Sequence, residues 1–72
     1  MVKIKADCLK LSELRIRQGM SGTDLAQKVG VTRQNISKIE KGHSNPSPAL
    51  AKSITMVLNV PFDSIFSIVE GD

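Results

Sequence analysis

Five polar side chains between residues 33 and 41 have the types and spacing needed to recognise the edges of DNA bases. They are Arg33, Gln34, Ser37, Lys38 and Lys41. At ~100° per residue, a helix places all five within an arc of ~140°. Arginine can donate two hydrogen bonds to guanine, glutamine can pair with adenine, and lysine can reach guanine or a phosphate, with ~1–3 kcal/mol of discrimination for each good bidentate contact. The plainer alternative is that these side chains form an ordinary solvated helix face.

Catalytic and metal-binding chemistry is poorly supplied. Cys8 is the sole cysteine and His43 the sole histidine, so the chain lacks both a four-ligand zinc set and a disulfide framework. The carboxylates are dispersed, and no glycine-rich phosphate loop follows a strand. Because Trp and Tyr are absent, an aromatic stacking platform is excluded too. We therefore predict a protein that is not an enzyme and that needs no cofactor, metal or small-molecule ligand.

Length and charge bound the remaining possibilities. A chain of 72 residues suits one small domain, which we take as residues 1–72. All ten Lys and Arg lie in residues 1–52 with four of the seven acids, giving that segment +6, whereas residues 53–72 carry −3. This polarity suggests one surface for an anion and another for a different partner. Without a run of ~20 apolar residues or a signal peptide, we expect a cytoplasmic protein that does not enter membranes.

Local signals divide the chain into short elements that must position these side chains. The alternating residues Val2 to Ala6 predict a strand. Capping residues and stop signals predict five helices. These helices run from about Cys8 to Gln18, Ser21 to Gly30, Arg33 to Lys41, Pro48 to Leu58 and Pro61 to Phe66.

The second and third of these helices have the spacing of a helix-turn-helix, at about residues 22–41. Ala26 is small where the helices must cross, and Gly30, four residues later, permits a left-handed turn. Ile36 and Ile39 then hold the third helix against the second. In such a motif the second helix, here the third predicted helix of the chain, is the recognition helix, which enters the major groove.

From Leu11 to Phe66 the chain resembles the Cro and phage-repressor type of helix-turn-helix regulator, the xenobiotic-response-element family. The stretches that carry the resemblance are Leu11 to Arg15, Asp24 to Gly42, Asn45 to Ser47, Val57 to Val60 and Ile65 to Phe66. The resemblance implies an all-α, five-helix, lambda-repressor-like bundle that binds double-stranded DNA as a dimer and controls transcription. We add to that bundle a small terminal pair of strands, Val2 to Ala6 with Ser67 to Glu70.

The resemblance implies roles for individual residues at the positions that match the family's motif. The side chains implied to read bases are Thr32, Arg33, Gln34, Ser37 and Lys38. Those expected to contact phosphates are Thr23, Lys41, His43, Ser44 and Asn45, although simple solvation is as good an explanation for any single surface cation. A structural ion pair is implied between Arg15 and Glu40. The chain departs from the family at Gly22, where a glutamine that contacts a phosphate is common.

The acidic, apolar end, about residues 60–70, is the expected dimerisation region. Its interface residues would be Phe62, Ile65, Phe66, Ile68 and Val69, with Lys3 and Lys5 offsetting Glu70 and Asp72. A two-fold dimer would place its recognition helices ~34 Å apart on a palindromic operator. These expectations favour a sequence-specific repressor. The alternatives are an antitoxin or other protein-binding module on the same fold, and a coactivator with little sequence preference.

Overall fold

The computed structural model describes residues 2–71 and contains four short α-helices and a two-stranded antiparallel sheet. The elements in chain order are β1 (Val2–Ala6), α1 (Cys8–Arg17), α2 (Gly22–Val29), α3 (Arg33–Glu40), α4 (Pro48–Leu58) and β2 (Phe66–Glu70). A single 3-10 turn, Phe62–Ser64, connects α4 to β2. The two strands at the ends of the chain therefore pair with each other beside the helices.

A side-chain N-cap begins each of the four helices. Each capping oxygen accepts the backbone N–H of the residue three positions later, at 3.1 to 3.2 Å. The caps are Asp7, Ser21, Thr32 and Ser47. At the other end, α2 and α4 stop at left-handed residues, Gly30 with φ 78° and Asn59 with φ 56°. The predicted boundaries of these four helices agree with the observed ones to within one residue. They could be predicted because they depend on contacts within a few residues of chain.

One apolar core joins the helices to one end of the sheet. Its fully buried large side chains are Leu11, Leu25, Ile36, Ile39, Ile54, Leu58 and Ile65. Ile4 and Phe66 bring the sheet to the same cluster, at 8% and 2% exposure. Burying a Leu or Ile side chain favours folding by ~1.5–3 kcal/mol, so this cluster is the main reason that such short helices are stable.

The prediction of an all-α bundle with five helices is wrong. Pro61 begins only the 3-10 turn, and Phe66, the expected last residue of a fifth helix, pairs with Ala6 in the sheet. The carbonyl of Ile65 accepts the backbone N–H of Asp7 at 2.6 Å. Since this carbonyl and the strand that follows are engaged by the N-terminal segment, the chain cannot continue as a helix. The predicted pair of terminal strands is confirmed, with β2 beginning one residue earlier, at Phe66.

The register of the sheet sorts its side chains onto two faces. Ile4 stands opposite Ile68 and Ala6 opposite Phe66, and cross-strand partners share a face. Lys3 and Lys5 lie on the other face, opposite Val69 and Ser67. The expectation that these lysines offset Glu70 is therefore wrong, because Glu70 stands opposite Val2 and forms no ion pair among residues 2–71. Asp72, the other acid expected to offset the two lysines, lies outside the described residues.

Candidate nucleic-acid interface

A tight turn fixes α3 against α2. Gly30 takes the left-handed conformation, and Val31 donates its backbone N–H to the carbonyl of Ala26 at 2.9 Å. Ala26 is only 2% exposed, and Ile36 and Ile39 are buried beneath α3. A bulkier residue than alanine at position 26 would separate the two helices. The outward direction of α3 is consequently set by its packing against α2.

The opposite face of α3 carries the polar side chains expected to read bases. Thr32, Arg33, Gln34 and Lys38 are exposed, and Ser37 is half-buried. Among residues 2–71, neither Arg33 nor Lys38 lies within 4.0 Å of a carboxylate. The structure thus brings the five residues together at the start and middle of one helix, with their charged groups available to a ligand.

A groove runs between the first turn of α2 and the outer side of α3. Gly22 lines it on one side, and Arg33, Ser37 and Lys41 line it on the other; Ser12, Ile36 and the Arg15–Glu40 ion pair are also among its lining residues. Thr23 is exposed and follows Gly22 at the start of α2. The first backbone N–H groups of a helix have no partner within the helix and favour an anion. The groove has three cations and one carboxylate, and that carboxylate is paired with Arg15. This combination of donors and positive charge suits a phosphate.

The carboxylate of Asp24 lies close to this helix start but is turned back to the cap. It accepts the backbone N–H of Ser21 at 2.9 Å, while Ser21 Oγ accepts the backbone N–H of Asp24 at 3.1 Å. The backbone N–H and the hydroxyl of Ser21, helped by the charge of Lys28, lower the pKa of Asp24 below its ordinary value. Asp24 therefore stays ionised at neutral pH and stabilises the first turn of α2.

The remaining candidates for phosphate contact follow α3 directly. His43 donates its backbone N–H to the carbonyl of Lys38 at 2.8 Å, which folds the loop back onto the end of the helix. Lys41, His43 and Asn45 are exposed and Ser44 is half-buried. These four residues lie directly after the last turn of α3, whereas Thr23 lies in the first turn of α2.

Arg15 and Glu40 join α1 to the end of α3. The guanidinium donates from Nε to Glu40 Oε2 at 2.9 Å and from Nη2 to Oε1 at 3.0 Å. Its Nη1 donates to the carbonyl of Met20 at 2.8 Å, and Ser12 Oγ donates to Glu40 Oε1 at 2.6 Å. With side-chain exposures of 15% and 11%, both charges are largely removed from water and are satisfied by each other. The pair holds α3 in place and leaves its outer face free.

The residues expected at a dimer interface do not lie on one surface. Ile65 and Phe66 are 1% and 2% exposed and belong to the core of the protomer, because the strand pairing turns them inward. Phe62 is half-buried against Phe66, with ring centroids 5.4 Å apart. Val69 is half-buried on the lysine face, and Ile68 is 65% exposed on the other face. Of the five expected residues, only Ile68 and the half-buried Phe62 line an open apolar surface.

An apolar groove beside Ile68 includes two residues that the sequence reasoning missed, Pro46 and Pro48. They line it together with Val2, Phe62 and Ile68, and Lys3, Ile4 and Asn45 are also among its lining residues. Val2 is 63% exposed and lies on the same face of the sheet as Ile68. The alternation of residues 2–6 predicted a strand, but its partner and register, which place Val2 beside the C-terminal strand, depend on pairing between the two ends of the chain.

Residues 2–71 contain no group of three or more His, Cys, Asp or Glu side chains arranged to hold a metal ion. None of the helices in this part of the chain has both the length and the apolar character needed to cross a membrane.

Comparison with known proteins places these features in a family. The model of the helix-turn-helix family HTH_3 matches residues 11–65. An uncharacterized HTH-type transcriptional regulator from Archaeoglobus fulgidus is 42% identical over 57 residues, which cover 79% of this chain and 81% of that protein. The uncharacterized HTH-type transcriptional regulator YgzD from Bacillus subtilis is 41% identical over 61 residues, covering 85% and 92% of the two chains.

Two solved structures share the helix-turn-helix architecture of this chain. The restriction-modification controller protein C.AhdI from Aeromonas hydrophila superimposes with a TM-score of 0.74 at 26% identity, covering 79% of this chain and 86% of that one. An HTH_3 family transcriptional regulator from Vibrio cholerae superimposes with a TM-score of 0.69 at 32% identity, covering 79% and 32%.

Proposed function

Because the chain belongs to the helix-turn-helix family HTH_3, whose members are DNA-binding regulators and not enzymes, we propose that it is a sequence-specific transcriptional repressor. It acts as a homodimer on a palindromic operator in the cytoplasm, in association with the chromosomal DNA. The observation that carries the proposal is the outer face of α3, where Arg33, Gln34 and Lys38 expose a guanidinium, an amide and an ammonium group while Ile36 and Ile39 are buried on the other side.

Base reading is assigned to that face. Arg33 can donate two hydrogen bonds to O6 and N7 of guanine, and Gln34 can pair with N6 and N7 of adenine. Both follow Thr32, the N-cap of the helix, and the first residues of a recognition helix reach deepest into the major groove. Ser37 and Lys38, one turn further along, extend the readout to neighbouring bases or to a phosphate.

Phosphate contacts fix the helix in the groove of the DNA. Thr23 and the backbone of Gly22 would meet one phosphate, with Lys41 across the groove. His43, Ser44 and Asn45 would meet the backbone beyond the end of α3. Such contacts supply affinity without sequence information.

A second copy of the chain is the proposed occupant of the apolar groove lined by Val2, Phe62 and Ile68. One recognition helix offers two or three base contacts, or ~2–9 kcal/mol, which is marginal against competing genomic sites. Two helices related by a two-fold axis double this readout and require half-sites ~34 Å apart. Repression needs only that the dimer occupy its operator, and this domain supplies that occupancy without a ligand or a cofactor.

The experiment is selection of binding sites from random duplexes, followed by binding of the selected duplex to variants. We expect Arg33→Ala to relax the preference at one base pair in each half-site. We expect Lys41→Ala to weaken all sequences alike and to make the dependence of log K on log salt concentration shallower by about 0.9 per lost contact. Lys52→Ala, on α4 and outside the groove, is the matched control and should change neither. Failure to recover any consensus sequence would overturn the proposal.

A further inference from the structure

A depression on the lysine face of the sheet brings the N-terminal strand next to the end of the recognition helix. Lys3 and Lys5 of β1 line one side, and Gly42, Ser44 and Asn45 line the other. Underneath, Cys8 Sγ lies 3.5 Å from the carbonyl oxygen of Ile39, the last buried residue of α3. The strand thus adjoins the same loop that we assign to DNA phosphates.

The two lysines are exposed and lack a neutralising partner among residues 2–71. Their cross-strand neighbours, Val69 and Ser67, are uncharged, and neither ammonium lies within 4.0 Å of a described carboxylate. Strand alternation directs Val2 and Ile4 to the opposite face. Lys5 does not line the apolar groove, whereas Lys3 and Asn45 border both that groove and the depression. A second copy bound at the groove would lie next to the depression and would leave Lys5 open to another ligand.

The chemistry of the depression suits a phosphodiester group. Two ammonium groups, the hydroxyl of Ser44 and the amide of Asn45 are available to it, and no carboxylate lines it. Lys5 also borders a neighbouring depression that contains Asp7 and Asp63, so its potential is less positive than that of Lys3. The stronger of the two contacts should be the one made by Lys3.

We infer that Lys3 and Lys5, with Ser44 and Asn45, form a binding site for the phosphate backbone of double-stranded DNA, which extends the interface from the recognition helix onto the terminal sheet. The inference rests on the proposed function, because it assigns the site to the same DNA that α3 reads. It adds contacts that lie outside the helix-turn-helix and that carry no sequence information.

The test measures the affinity of the selected duplex between 50 and 200 mM salt. The double variant Lys3→Thr/Lys5→Thr removes both charges with a β-branched residue that strands favour. Lys10→Gln/Lys52→Gln removes two charges from α1 and α4, outside the depression, with a residue that helices favour. Lys3→Arg/Lys5→Arg keeps both charges in the strand.

We expect the salt slope of the threonine variant to be shallower by about 1.8 per bound protomer. Across this range of salt, the wild-type affinity should therefore fall about tenfold further per protomer than the affinity of the variant. The glutamine variant and the arginine variant should keep the wild-type slope. A threonine variant with the wild-type slope would overturn the inference and leave the proposed function intact, as would an equal effect in the glutamine variant. A wild type that does not bind duplex DNA would overturn the proposed function itself.

Discussion

At the scale of single residues, the Arg15–Glu40 pair ties α1 to the end of α3, the helix that we propose reads DNA. Glu40 accepts hydrogen bonds from Arg15 and Ser12, and Arg15 also donates to the carbonyl of Met20. Removal of one partner from such a pair leaves the other charge buried and unpaired, and this cost is larger than the net value of the pair itself.

We predict that Glu40→Ala lowers the free energy of unfolding by ~3–5 kcal/mol, measured by urea denaturation. The matched control is Glu13→Ala, which breaks the Arg17–Glu13 pair at 3.0 Å with side chains 71% and 45% exposed. Because that pair is solvated, its loss should cost no more than ~1 kcal/mol. Equal losses in the two variants would contradict a structural role for the buried pair.

At Gly22, unlike Glu40, a substitution is expected to preserve or raise the stability of the protein. A Cβ built at this position meets no atom within 4 Å, and the backbone is not left-handed. We predict that Gly22→Gln leaves stability unchanged or raises it by up to ~1 kcal/mol, since glutamine is the better helix former. Its amide would add a donor to the phosphate groove, so affinity should rise for all duplexes without a change in salt slope.

Gly30→Gln is the control for this prediction. Gly30 is equally unobstructed, but its φ of 78° is left-handed, and there a side chain costs ~1–2 kcal/mol. Thermal unfolding should therefore separate the two variants. A destabilised Gly22→Gln protein would show that the first turn of α2 has no room for a side chain.

At the scale of elements, the start of α2 depends on the charge of Asp24. Folding lowers the pKa of this carboxyl, so the ionised form contributes stability above its ordinary pKa. That contribution is lost as the pH falls through the lower pKa of the folded state. We predict that the melting temperature of the wild type exceeds that of Asp24→Asn at pH 7 and that the difference shrinks below about pH 4. A difference that is constant between pH 3 and pH 7 would contradict this assignment.

The two strands show why a helix-rich chain retains a sheet. A two-stranded hairpin is marginal in water when isolated, but Ile4 and Phe66 insert into the helical core. The backbone hydrogen bond from Asp7 to Ile65 then fixes the point where β1 gives way to α1. One face of the sheet therefore extends the core through Ile4 and Phe66, while Val2 and Ile68 on the same face remain exposed.

At the scale of the whole molecule, the two faces of the terminal sheet differ in character. Lys3 and Lys5 lie on one face, whereas the exposed Val2 and Ile68 lie on the opposite face. The two surfaces meet at Lys3 and Asn45, which border both the depression and the apolar groove. In the proposed complex, one face would meet DNA while the other meets a second copy.

We predict that the wild type sediments as a dimer and Ile68→Asp as a monomer in sedimentation equilibrium, with weaker operator binding, because a charge would be placed in the apolar groove. Ile16→Asp is a close control, since Ile16 is 64% exposed on α1 and Ile68 is 65% exposed. The control should remain dimeric. An Ile68→Asp protein that still sediments as a dimer would place the interface elsewhere.

Much of the fold could be predicted because its signals are local. The caps at Ser21 and Ser47 and the left-handed turn at Gly30 involve residues three or four apart, so the sequence displays them directly. The polar face of α3 follows in the same way from the period of the helix. The sequence therefore determined the four helices, the helix-turn-helix and the side of α3 that remains exposed.

Other features depend on contacts between distant parts of the chain, and only the tertiary structure decided them. Residues 61–66 have the composition of a helix, but pairing with β1 makes Phe66 part of a strand and buries Ile65. The same pairing sets Lys3 and Lys5 beside Ser44 and Asn45, and Val2 beside Ile68. Because side chains alternate along a strand, the register between the two ends of the chain decides which residues face the core, the loop after α3 or solvent.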